Sequence, residues 1–128
     1  MTLSANARLR AVSATVVLLG VTLAGCSEDA DRLVSNAKAC AELVRTSAGN
    51  LDEIERNLDN PQRLERTLRD AAADLEAEAK QVDGADAQQA ADDLVTSMNR
   101  LAERAQRGEQ IGLDDLRDAN RALVNACS

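Results

Sequence analysis

The sequence predicts an all-α protein, an up-and-down bundle of three to four helices. Three observations carry that prediction. Ala, Leu, Glu, Arg and Gln, all good helix formers, dominate the chain together with Asp. β-Branched residues are sparse and nowhere alternate over a strand-length window. Apolar residues instead recur at steps of three and four, in segments bounded by glycines or by the single proline, Pro61.

The first element stands outside that bundle. Arg8 and Arg10 are the only charged side chains before Glu28, and an apolar run follows from Ala11 to Ala24. The run is shorter than the roughly 20 residues that span a bilayer. A basic start followed by a short apolar stretch is the pattern of a secretory signal. The run closes on Leu23-Ala24-Gly25-Cys26. This resembles the lipobox of bacterial lipoproteins, an aliphatic residue and two small ones before an obligatory cysteine. The resemblance implies a cleaved signal peptide over 1–25, a diacylglyceryl thioether on the Cys26 sulfur, and a mature lipid-anchored helical domain over 26–128. The bias of 13 Arg over 2 Lys, with 24 Ala, resembles the small helical lipoproteins of actinomycetes. Losing Arg8 and Arg10 with the leader leaves 13 bases against 22 acids, a net charge of -9. Such a body does not adhere to anionic lipid by charge, so the anchor is the acyl chains, and two chains on one cysteine satisfy the need for two signals.

The first mature segment places Leu33, Ala37, Cys40, Val44, Ser47 or Ala48, Leu51, Ile54 and Leu58 on one face, with Leu43 widening it. Gly49-Asn50 offers a break, where Asn50 with Glu53 would form a capping box; the segment therefore reads as one long helix or two. The second helix starts sharply, with Asn60 as N-cap and Pro61 at the first helical position. Its face is Leu64, Leu68, Ala71, Leu75, Ala79 or Glu78, and Val82, and Gly84 is expected to end it. The third runs from near Asp86 through Ala87, Ala91, Leu94, Met98, Leu101 and Ala105 to Gly108. The last begins near Gly112 with Leu113, Leu116, Ala119 or Asn120, Leu123, and Ala126 or Cys127, its entry stapled by Ile111. Short connections force neighbouring helices to run antiparallel.

A core of Ala and Leu without any aromatic residue is thin for a domain of this size. With Cys26 lipidated, Cys40 and Cys127 remain, and export places them in an oxidising compartment. A Cys40–Cys127 disulfide would close almost the whole domain, contributing about 4–5 kcal/mol in the chain-entropy model. Two buried free thiols are the alternative.

The composition excludes several chemistries. There is no His to serve as general base or to ligate zinc or iron. There is no aromatic residue to stack on a base or a sugar. The net charge of -7 opposes a nucleic-acid backbone. No phosphate-cradling loop or nucleophile elbow occurs. Asp114, Asp115 and Asp118, and Asp92 with Asp93, are the carboxylate clusters; acids in a first helical turn complement the helix dipole, and neither cluster has the spacing of a calcium loop. Arg63, Arg66 and Arg69 alternate with Glu65 and Asp70, as on a solvated, salt-bridged face. Ser47, Ser97 and Asn120 intrude at or beside core positions, where a buried Asn can fix register.

The expected function is that of a non-catalytic lipoprotein interaction module on the extracytoplasmic face of the cell membrane of a Gram-positive bacterium. Its partners are the membrane, through the lipid on Cys26, and an envelope protein; no cofactor, metal or nucleic acid is expected. The alternative is a ligand-binding or inhibitor lipoprotein with a groove between the second and third helices, lined by Leu75, Leu94 and Met98.

Overall fold

The computed structural model describes residues 13–128, with side chains described from residue 30 onward. The start of the leader and the side chains of the Leu23-Ala24-Gly25-Cys26 motif lie outside the described residues. Four helices follow in order: α1 (Ser13–Arg56), α2 (Pro61–Ala79), α3 (Ala85–Gln106) and α4 (Asp114–Ala126). No strand occurs among the described residues. No described helix is long and apolar enough to cross a membrane.

The chain divides after Ser35 into two compact units. In the first, the described side chains are exposed, including Leu33 at 71% and Val34 at 56%. The second, from Asn36 to Ser128, is the four-helix bundle.

The register of the bundle can be read from its cross-links. The Thr46 hydroxyl donates to Glu78 Oε1 (2.8 Å), and Asn57 Nδ2 donates to Thr67 Oγ1 (3.3 Å). As α1 advances, its partners on α2 recede, so the two are antiparallel. The same holds for α1 and α4. Cys40 meets Cys127, Ser47 meets Asn120, and Glu55 meets Arg117. Helices α2 and α3 pack along their length and α3 packs on α4, which closes the up-and-down ring.

Helix ends follow local chemistry. Asn60 is extended (φ −126°), its side chain accepts from the Arg63 backbone N–H (3.1 Å), and Pro61 follows. Gly108 has φ +73°, the left-handed conformation that glycine adopts without cost. It ends α3 in a Schellman motif, with Gly108 N–H donating to Ala105 O (3.0 Å) and Glu109 N–H to Arg104 O (3.1 Å).

The cores of α2 and α3 contain every residue expected there: Leu64, Leu68, Ala71, Leu75, Ala79 and Val82 face Ala87, Ala91, Leu94, Met98, Leu101 and Ala105, all buried. Two expectations are corrected. Gly84 does not end α2, which stops at Ala79; Gly84 is the extended N-cap of α3 (φ −138°), and its carbonyl accepts from Gln88 N–H (2.9 Å). Of the two readings of the first segment, one continuous helix forms, because helical bonding runs through Gly49-Asn50 in α1. The α1 face is narrower than expected. Cys40, Leu43, Ser47 and Ile54 are buried, Val44 and Leu51 are half-buried, and Leu33, Ala37 and Leu58 are exposed.

Candidate functional site

Cys40 is buried and Cys127 half-buried, with their Cα atoms 5.5 Å apart and the two sulfurs bonded. That separation falls within the usual range for a disulfide. The bridge joins the first turns of α1 in the bundle to the last turn of α4 across a sequence separation of 87. Two turns further along α1, the fully buried Ser47 hydroxyl donates to Asn120 Oδ1 on α4. One covalent and one polar link thus pin the same seam. Ser97 is half-buried on α3.

The carboxylate clusters do not converge. Asp92 and Asp93 are exposed, and Asp93 accepts from Gln89 Nε2 (3.0 Å). Asp114 and Asp118 pair loosely with Arg117 and Arg121, at 3.7 and 3.9 Å. Among the described residues no three His, Cys, Asp or Glu side chains are grouped as a metal site would require. Leu75, Leu94 and Met98 show no surface at all. They form the interior of the α2–α3 seam, and the side chains expected to line a groove there are core.

The arginine run is solvated as expected, and one of its three members is salt-bridged. Arg69 pairs with Glu65 (3.2 Å), while Arg63 and Arg66 pair with no described residue. These two arginines line a groove of about 540 Å³ between α1 and α2. Its α2 wall is Arg63, Arg66, Thr67, Asp70, Ala71 and Asp74; Asn50 and Glu53 of α1, with Asn57 just past its end, form the facing wall. Thr67 is held in place by donating to Arg63 O (2.9 Å). On the α1 side, the Asn50 amide nitrogen is buried without an acceptor. The sequence offered one signal for this wall: Asn50, Glu53 and Asn57 recur at helical spacing, but Asn50 reads equally well as a cap. A second, smaller groove of about 330 Å³ lies where the α1–α2 turn meets the α3–α4 loop, around Leu58, Pro61, Leu64 and Ile111.

At that end Glu109 accepts from Arg104 Nε and Arg107 Nε, both at 2.9 Å. The Arg104 hydrogen bond, followed by that of Arg107, holds its carboxyl below the usual glutamate range. On the α1–α4 seam, Arg117 donates to Glu55 (2.8 Å), which raises the guanidinium's affinity for its proton.

No protein-family model matches the chain, and no curated protein or solved structure matches it significantly.

Proposed function

We propose that this chain is a lipid-anchored, non-catalytic interaction module of the bacterial cell envelope, held on the extracytoplasmic face of the membrane. The observation that carries the reading is the succession of features in the leader sequence: Arg8 and Arg10, the apolar run, then Leu23-Ala24-Gly25-Cys26. The Cys40–Cys127 bridge supports it, because such cross-links persist in oxidising compartments. Cleavage before Cys26 leaves nine residues, 27–35, between the anchor and the start of the bundle at Asn36, and they are helical in α1. Confinement to a surface raises the effective concentration of the bundle near other membrane proteins.

Replacing Cys26 with Ala tests the anchor. In cells fed a labelled fatty acid, the variant is expected to lose all label and keep its leader; continued labelling overturns the lipoprotein assignment. Crosslinking on intact cells followed by pull-down tests the interaction. A discrete partner band is expected, and recovery of the monomer alone, under conditions that capture known neighbours, overturns it.

A further inference from the structure

The groove between α1 and α2 has a volume of about 540 Å³, within the ~300–1,000 Å³ of small-molecule sites. Such sites are mostly apolar, with a few polar groups for orientation. This one is walled almost entirely by polar and charged side chains, which selects a hydrophilic, charged occupant.

Its charges are sorted by sign along the helix axis. On α2, Arg63 and Arg66 lie one turn apart toward the α1–α2 turn, and Asp70 and Asp74 follow at one-turn intervals. Glu53 adds a third carboxylate from α1. None of these five groups forms an ion pair with a described residue. Arg66 and Asp70 nevertheless stand at the i,i+4 spacing at which pairs form, and Arg69 beside them is paired with Glu65. Two free guanidiniums in one place suit a carboxylate, which each can grip through parallel N–H donors. Free carboxylates further along repel a polyanion and attract an ammonium. Asn50 lines the α1 side, and its buried amide nitrogen lacks an acceptor. With no aromatic residue in the chain, ring stacking plays no part in recognition.

The spacing sets the length of the occupant. Asp70 and Asp74 lie about 6 and 12 Å beyond Arg66 along the axis, at the helical rise per residue. The termini of an extended peptide of about two to four residues lie about 7–14 Å apart. We infer that this groove binds a short zwitterionic peptide, its carboxylate on Arg63 and Arg66 and its ammonium among Asp70, Asp74 and Glu53. The inference is independent of Cys26, so loss of the lipid anchor leaves it standing and its own failure leaves the anchor standing.

The test is a titration of the oxidised full chain in detergent micelles with trialanine carrying free termini, followed by isotope-edited NMR. The expected result is saturable binding that shifts the Arg63 and Arg66 guanidinium signals and the Asn50 carboxamide. Amidating the carboxyl end or acetylating the amino end is expected to weaken binding by about tenfold or more, as loss of a charge-assisted hydrogen bond does. The double variant Arg63→Ala, Arg66→Ala is expected to do the same with an unchanged circular dichroism spectrum, while Arg69→Ala binds like the parent. Absence of saturable shifts at millimolar peptide, or equal binding of the free and doubly capped peptides, overturns the inference. So does equal weakening by the Arg69→Ala and Arg63→Ala, Arg66→Ala variants.

Discussion

The α2–α3 seam and the α1–α4 seam hold the same bundle by different means. Between α2 and α3 the contact is apolar and continuous, with Leu68, Leu75, Leu94 and Met98 fully buried among alanines that let the helices approach closely. Between α1 and α4 directional links join the buried leucines: the Cys40–Cys127 bridge, the Ser47–Asn120 hydrogen bond and the Glu55–Arg117 ion pair, beside a Val124 that is 37% exposed. Helix α4 has only 13 residues against 22 in α3, so it has less surface to bury. A short helix gains little from non-directional burial, and directional links do more of the work of holding it.

Four experiments would break or sharpen that contrast. Cys40→Ser with Cys127→Ser is expected to cost the most, about 4–5 kcal/mol in the chain-entropy model, measured by urea unfolding; an unchanged midpoint would remove the covalent half of the contrast. Hydrogen exchange in that variant should accelerate in α4 before α2 and α3. Leu94→Ala is expected to cost about 3 kcal/mol, within the range for a large-to-small change in a packed core. It should lower the stability of the whole bundle rather than of one helix.

Asn120→Ala leaves the buried Ser47 hydroxyl without its partner and is expected to cost about 1–3 kcal/mol. Adding Ser47→Ala should restore much of that loss, because removing both partners of a buried bond is far cheaper than removing one; a cycle showing simple additivity would mean the pair does not act as a unit. The smallest effect concerns pH. The Glu109 carboxyl is held low by Arg104 and then Arg107, so its folded-state pKa lies below its unfolded one. Its contribution is present above the ordinary carboxylate range and disappears as pH falls through the lowered value. The thermal midpoint of the parent should approach that of Glu109→Gln on acidification. A gap that stays constant with pH would show that the two arginines do not act through its charge.

The same two seams differ in how well the sequence foretells them. The faces of α2 and α3 follow directly from apolar spacing, because each helix carries one stripe and the alternatives are charged. Helix α1 carries two adjacent stripes. Leu33, Ala37, Val44, Ala48 and Leu51 form one, while Cys40, Leu43, Ser47 and Ile54 form the other. Apolar periodicity joins both into one broad face, and the bundle buries the second. What decides between them is polar and covalent: Ser47 finds Asn120 and Cys40 finds Cys127, partners some 70 to 90 residues away that no local window contains. The α1–α2 groove was hidden for a related reason. Its walls are polar flanks of two amphipathic helices, and only the register of α1 against α2 brings Asn50 and Glu53 beside the arginine run.

The sulfur bridge also fixes how the molecule bears force. The stretch from Cys40 to Cys127 is a closed covalent ring, since the two residues are joined both by the backbone and by their sulfurs. A pull exerted between the chain before Cys40 and the chain after Cys127 runs through those sulfurs and bypasses α2 and α3. A cut anywhere in the exposed 107–110 stretch leaves two pieces that remain one molecule until a reductant arrives.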